Sequence, residues 1–122
     1  MPTILIVDDL EDMTDTLTRV LEAHDYKVVI AHNGVKALER LQEHSIDIML
    51  LDIHLPVKDG LEVLQELRAS DWSPKVIAMS GGGRAADFGV LEIAKRFGAH
   101  ATLKKPFNMT ELLAAVESVV TT

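Results

Sequence analysis

The stretch Thr3–Asp9, TILIVDD, is a run of apolar, mostly β-branched residues that stops at two consecutive aspartates. Its apolar residues occupy both alternations of an extended chain, which is typical of a strand buried on both faces of a sheet. A second run of this kind, Ile46–Leu51 (IDIMLL), stops at Asp52. Burial on two sides favours a parallel sheet with helices packed on both of its faces.

Strand-like and helix-like segments alternate along the rest of the chain. The other predicted strands are Lys27–Ala31, Lys75–Met79 and Ala99–Leu103. Between and after the strands, apolar residues recur at helical spacing, most clearly at Met13, Leu17, Val20 and Leu21. Five strands alternating with five helices predict an α/β fold, a three-layer doubly wound sandwich around a parallel sheet.

The last helix is predicted over about Met109–Val120, with Asn108 or Thr110 as its cap. Two glycines are typical of the boundaries of earlier helices. Asn33-Gly34 marks the turn before the second helix, and Gly98 closes the fourth.

Length, charge and composition exclude several classes of protein. The 122 residues suffice for a single domain, predicted to span residues 1–122. The absence of cysteine excludes disulfides and thiolate metal sites. A net charge of −7 disfavours direct nucleic-acid binding, because phosphates are repelled by an acidic surface. With no apolar run near the roughly 18 residues of a membrane span and no signal peptide, we expect a cytoplasmic protein without membrane contact.

Polar residues follow four of the five predicted strands. Asp8 and Asp9 follow the first, Asp52 the third and Ser80 the fourth, and the pair Lys104-Lys105 follows the fifth. In open α/β sheets, ligands bind outside the carboxyl ends of the strands, which lie along one edge. We therefore expect three carboxylates, a hydroxyl and an ammonium group to meet at that edge.

Three neighbouring carboxylates repel one another and need a neutralising cation. Mg²⁺ fits, because it binds through one or two carboxylates together with water and phosphate oxygens. A metal ion next to a lysine suits phosphoryl transfer to a carboxylate. Asp52 is the predicted nucleophile because it ends the central strand, whereas the pair Asp8 and Asp9 is predicted to hold the metal.

Each of these residues also has a simpler interpretation. Asp8 and Asp9 taken alone are typical of a turn before a helix, Ser80 of loop chemistry, and the two lysines of a solvated surface. The coincidence at four strand ends favours the site.

Other polar residues are assigned to structure. Glu11, Asp12 and Asp15 suit a helix N-terminus, and Asp47 and Asp59 suit turns. The five histidines (24, 32, 44, 54 and 100) lack the spacing of a zinc site. Trp72 is expected at the edge of the core.

Four segments, in this order and spacing, resemble the receiver domains of response regulators, including chemotaxis-type single-domain receivers. They are ILIVDD (Ile4–Asp9), DIMLLDIHLPVKDG (Asp47–Gly60), VIAMSG (Val76–Gly81) and LKKPF (Leu103–Phe107). The resemblance covers nearly the whole chain. It implies a flavodoxin-like sheet with strand order 2-1-3-4-5.

The resemblance also implies a role for each site residue. Asp52 would be the phospho-acceptor. Asp9 and Asp52 would ligate Mg²⁺ (or Mn²⁺) directly, with Asp8 acting through water and the backbone carbonyl of His54 as a further ligand. Lys105 would contact the phosphoryl group, and the Lys105-Pro106 bond would often be cis.

The switch region departs from the family in two ways. Ser80 would reach toward the attached phosphoryl group and carry the following loop with it. The aromatic residue usual on strand five is replaced by Thr102, and Gly81–Gly83 gives the strand-four loop unusual freedom. We therefore expect signalling to use that loop.

The implied function is a signalling module that receives its phosphoryl group from a sensor histidine kinase or a phosphotransfer protein. It would catalyse only its own phosphorylation and dephosphorylation. Its output would pass to a target protein, through a homodimer or by phosphate relay, with helix four, strand five and helix five as the partner face. The alternative is a receiver-like interaction module that works without phosphorylation. A phosphatase acting on other substrates is disfavoured, because His54 stands where such enzymes often have a second aspartate.

Overall fold

The computed structural model describes residues 2–70, 74–81 and 86–120. Trp72, Gly82 and Gly83 lie outside the described residues. The strands are β1 Thr3–Val7, β2 Lys27–Ala31, β3 Ile48–Asp52, β4 Lys75–Gly81 and β5 Ala101–Lys105. The helices are α1 Glu11–Ala23, α2 Gly34–Glu43, α3 Gly60–Arg68, α4 Ala86–Arg96 and α5 Met109–Val120. Among the described helices, none combines the length and the apolar character that crossing a membrane requires.

The five strands form one parallel sheet in the order β2-β1-β3-β4-β5, as the resemblance implied. Each face of the sheet has its own core. Leu5, Val7, Met49 and Leu51 contribute to one core, and Ile4, Ile6, Ile48 and Leu50 to the other. Alternate residues of β1 and β3 therefore enter opposite cores, which is why Ile4–Val7 and Ile48–Leu51 are apolar at every position.

Short polar residues fix the starts of three helices. The side chain of Asn33 accepts a hydrogen bond from the Lys36 amide at the start of α2, and that of Asp59 accepts one from the Glu62 amide at the start of α3. Asn108, not Thr110, caps α5, because its side chain accepts from the amide of Glu111. The Glu111 carboxylate accepts in return from the amide of Asn108. Such reciprocal capping satisfies two otherwise unpaired amides.

Five strand boundaries differ from the sequence prediction, and all five lie further along the chain. Strand β3 begins at Ile48 instead of Ile46, β5 begins at Ala101 instead of Ala99, and three strands end later than predicted. Strand β3 includes Asp52, β4 continues through Ser80 to Gly81, and β5 ends at Lys105. Apolar side chains stop earlier, but the pairing continues: Asp52 lies opposite Met79, and Ser80 lies opposite Lys104. Asp52, Ser80 and Lys105 of the predicted site are thus part of the sheet itself, whereas Asp8 and Asp9 follow β1.

Candidate functional site at the carboxyl edge of the sheet

The polar residues at the ends of β1, β3, β4 and β5 lie along one edge of the sheet, because these four strands are consecutive neighbours. Three of them are buried although they are polar: Asp8 is 0% exposed, Asp52 5% and Ser80 1%. Burying polar groups is costly unless they find partners. Their partners therefore define the site.

Three carboxylates form its acidic half. One carboxylate oxygen from each of Asp8, Asp9 and Asp52 lies within 4.8 Å of the others. Asp9, unlike the other two, is exposed. Oxygen donors at this spacing form a donor set that hard cations such as Mg²⁺ prefer, so this acidic cluster could bind a metal ion.

Lys105 crosses from β5 to the two buried carboxylates. Its Nζ donates to Oδ2 of Asp8 at 2.7 Å and to Oδ2 of Asp52 at 3.0 Å. Its side chain is 14% exposed, whereas the neighbouring Lys104 is exposed. The Lys105-Pro106 peptide bond is cis. One ammonium thus faces three carboxylates, which leaves an excess of negative charge at the edge.

Burial and charge shift the pKa values of the central pair. Burial raises the pKa of Asp52 above its ordinary value of 3.8, and the negative charge of Asp8 adds to this. The Lys105 ammonium and the His54 amide act in the opposite direction without cancelling the effect of burial. For Lys105, burial lowers the pKa, but the two carboxylates together raise it above 10.5. Asp52 is therefore held in a setting that disfavours its charge, which a bound cation would relieve.

Two glycines shape the loop that follows Asp52. A Cβ at Gly60 would lie 2.6 Å from the carbonyl oxygen of Asp52, and one at Gly34 would lie 2.3 Å from the carbonyl oxygen of Lys58. Neither distance accommodates a side chain against backbone atoms. In the same loop the amide of His54 donates to Oδ1 of Asp52 at 2.9 Å, the carboxylate oxygen that does not accept from Lys105.

Two histidine side chains at this edge were missed by reasoning from the sequence. Nε2 of His54 lies 3.4 Å from the hydroxyl oxygen of Ser80, and Nδ1 of His32 lies 3.1 Å from the carbonyl oxygen of Asp8. A search for zinc spacing cannot find either residue. His32 directly follows β2, so the rule applied to the ends of the other four strands would have found it.

The structure therefore brings together Asp8, Asp9, Asp52 and Lys105, and it places Ser80 beside His54 on the same edge. Lys104, the other lysine at the end of β5, is exposed. The roles of the others as metal ligands, acceptor or phosphoryl contact stay predictions.

A family model described as a response regulator receiver domain matches residues 4–117. The transcriptional regulatory protein CpxR of Escherichia coli (strain K12) is 36% identical over 120 residues, which cover 98% of this chain and 50% of that protein. This chain thus spans about half the length of that relative. The chemotaxis protein CheY of Listeria monocytogenes is 37% identical over 115 residues, covering 93% of this chain and 94% of CheY.

Solved structures give the same result. A putative response regulator from Chloroflexus aurantiacus superimposes with a TM-score of 0.90 at 26% identity and covers both chains completely. A response regulator receiver domain protein from Clostridium thermocellum gives a TM-score of 0.89 at 25% identity, with coverage of 99% of this chain and 95% of the other.

Proposed function

This chain belongs to the response regulator receiver family, and we propose that it is phosphorylated on Asp52, with Mg²⁺ bound, by a sensor histidine kinase or a phosphotransfer protein. Receiver domains belong to two-component systems, whose general function is signalling by phosphorylation. The observation that carries the proposal is the position of the Asp52 carboxylate, 3.0 Å from Lys105 and within 4.8 Å of two further carboxylates.

Asp52 has the contacts expected of a phospho-acceptor. The His54 amide holds Oδ1, while Lys105 holds Oδ2. In the transfer, a carboxylate oxygen of Asp52 would form a bond to phosphorus as the bond from phosphorus to the histidine nitrogen of the donor breaks. The nitrogen would leave with its electron pair and take up a proton. The ammonium group of Lys105 would contact the oxygens of the transferred phosphoryl group and offset their negative charge.

The three acids are suited to different tasks in holding Mg²⁺. Both carboxylate oxygens of Asp8 are engaged, one by Lys105 and the other by the amide of Leu10 at 3.0 Å. Asp9 is exposed and follows directly. We therefore propose Asp9 and Asp52 as direct ligands and Asp8 as a ligand through water, with the His54 carbonyl completing the protein's contribution. The bound ion would neutralise charge on the phosphoryl oxygens.

Ser80 is the proposed link to output. Its hydroxyl is buried next to His54, two residues beyond the acceptor. Once Asp52 carries a phosphoryl group, this hydroxyl would donate to a phosphoryl oxygen and draw the end of β4 toward the site. The sequence predicts that the strand-four loop passes this movement on, and residues 82–85 of that stretch lie outside the described part of the chain. The face formed by α4, β5 and α5 would change as a result. With Thr102 on β5, this change would not depend on an aromatic side chain.

Phosphorylation with a small donor tests the proposal. Incubation with acetyl phosphate and Mg²⁺ should add one phosphoryl group, located on Asp52 by mass spectrometry of peptides. Asp52→Asn should remove the modification, whereas Asp47→Asn, a matched change at the other end of β3, should leave it. If the unmodified mass persists with acetyl phosphate and with a panel of histidine kinases, the chain would instead be an interaction module that works without phosphorylation.

A further inference from the structure

We propose that His32 is a positioning residue for the metal site: its imidazole holds the Asp8 carbonyl and thereby fixes the turn that carries Asp8 and Asp9. Nδ1 of His32 and the carbonyl oxygen of Asp8 are 3.1 Å apart. This inference rests on the proposed Mg²⁺ site, because it concerns the residues proposed to hold that ion. His32 itself would touch neither the metal nor the phosphoryl group.

The contact lies where the ladder between β1 and β2 ends. The paired strands run from Thr3 opposite Lys27 to Val7 opposite Ala31, and the Asp8 amide still donates to the Ala31 carbonyl at 3.2 Å. In a parallel ladder, the next donor from β2 would be a backbone amide two residues beyond Ala31. There the chain turns into α2, and the ring of His32 reaches the carbonyl of Asp8.

The hydrogen bond from His32 engages the last polar atom of Asp8 that the other contacts leave free. The amide of Asp8 donates to Ala31, one carboxylate oxygen accepts from Lys105 and the other accepts from Leu10. With the His32 bond to the carbonyl, every polar atom of Asp8 has a partner. Metal affinity depends on such outer contacts, because they hold ligating groups in position before the ion arrives.

Helix α1 offers little additional support to this turn. Its N-cap is Leu10, which makes no capping hydrogen bond through its side chain and is 56% exposed. The backbone amide and carbonyl of Asp8 are held from the β2 side, by Ala31 and His32, while Lys105 and the Leu10 amide hold its carboxylate. This makes the imidazole more important here than it would be beside a well-capped helix.

The chemistry of the contact determines which substitutions test it. A carbonyl oxygen only accepts, so Nδ1 of His32 carries the proton and donates. In Asn, the amide nitrogen stands at the same number of bonds from the backbone as Nδ1, so His32→Asn keeps a donor. His32→Leu has nearly the shape of Asn without any donor. Because His32 is exposed, neither change opens a cavity in the core.

His24 provides a matched control at the other end of α1. Its Nδ1 lies 2.9 Å from the carbonyl oxygen of Val20, and its side chain is also exposed. His24→Leu therefore removes the same kind of bond from a place that holds no candidate ligand. A general loss of stability would affect both leucine variants alike.

The experiment is a calorimetric titration of MgCl₂ into the wild-type protein and the variants H32L, H32N and H24L, after thermal melts establish that each is folded. We expect H32L to raise the Kd for Mg²⁺ about tenfold, the lower end for loss of an outer contact. H32N and H24L should stay within about twofold of wild type. If H32L does not fold, His32→Ala takes its place.

The outcomes separate this inference from the proposed function. No heat of Mg²⁺ binding in the wild-type protein would contradict the proposed metal site itself. Wild-type binding with an unchanged Kd in H32L would overturn the role of His32 while leaving the metal site intact. Equal weakening in H32L and H24L, or in H32L and H32N, would also overturn it, because the donated hydrogen bond would then not be the cause.

Discussion

The two ends of the sheet use similar polar residues in opposite ways. At the amino end, the carboxylate of Asp47 accepts from the amide of Thr3 at 2.8 Å, and Nδ1 of His100 accepts from the amide of Val76 at 3.1 Å. Both side chains are exposed, and each satisfies a backbone donor at a strand end. At the carboxyl end, Asp8 and Asp52 are buried and share Lys105. The amino end uses its polar side chains to satisfy the backbone, whereas the carboxyl end has an excess of negative charge that a bound cation would offset.

The largest effect is expected from removing the shared ammonium. Lys105→Met should lower the rate of phosphorylation of Asp52 by about 100-fold, the size typical of losing one donor to developing negative charge. The matched variant Lys104→Met alters the exposed neighbour and should leave the rate within about twofold. Both rates can be measured by intact-mass spectrometry with acetyl phosphate and Mg²⁺. Equal losses in the two variants would show that total charge, not the site, sets the rate.

Magnesium should stabilise the fold through the carboxyl end. Because Mg²⁺ would bind only the assembled cluster, a concentration ten times its Kd should add about 1.4 kcal/mol to the free energy of unfolding. Thermal melts in MgCl₂ and in matched NaCl measure this effect. Asp9→Asn should remove the response, and Asp47→Asn should preserve it. A response of equal size in both variants would place the ion elsewhere.

The same substitution should have opposite effects on stability at the two ends. Asp52 has a raised pKa, so its charged form disfavours folding, and the fold loses stability as the pH rises from 3.8 through the pKa of the folded state. Asp52→Asn should therefore raise the metal-free free energy of unfolding at neutral pH by on the order of 1 kcal/mol. Asp47→Asn weakens the bond to Thr3 and should lower it slightly. Urea unfolding measures the free energy of unfolding of both variants. A change of the same sign in Asp52→Asn and Asp47→Asn would contradict the expected difference between the two ends of the sheet.

The smallest effect concerns His100. Although His100 is an exposed residue, its ring is partly desolvated, and this desolvation, followed by the positive charge of Lys75, lowers its pKa below 6.5. The unfolded chain therefore takes up the proton first, so stability that is present above pH 6.5 is lost as the pH falls from there to the pKa of the folded state. Protonation would also remove the acceptor for the Val76 amide. NMR titration should give His100 a pKa below 6.5, and His100→Gln should flatten this part of the stability profile. A measured pKa of 6.5 or above for His100 would contradict this prediction.

The sequence was sufficient to predict the fold class and the edge at which the polar residues meet. Burial on both faces makes β1 and β3 apolar at successive positions, and the polar residues that end them stand out against that background. The last residues of β3, β4 and β5 were not predictable from apolar character. Their pairing continues through Asp52, Ser80 and Lys105 by backbone hydrogen bonds, which do not depend on side-chain type.

The supporting contacts needed three-dimensional information. Residues 32 and 8 are brought together by the pairing of β1 with β2, and no spacing in the sequence encodes the rotamer that directs an imidazole to a carbonyl. The same holds for His54 and Ser80, on adjacent strands. For α5, Asn108 and Thr110 were both suitable caps by residue type, and backbone geometry selected Asn108.

The most direct measurement is a crystal structure of the wild-type protein grown with Mg²⁺ and beryllium trifluoride, which attaches to a carboxylate as a mimic of a phosphoryl group. We expect the mimic on Asp52, with Lys105 and Ser80 in contact with its fluorines and the metal ion held by Asp9 and Asp52. An electron density map with Asp52 unmodified, Lys105 still paired with Asp8 and the cation bound away from these acids would contradict a phosphoryl site at the carboxyl edge.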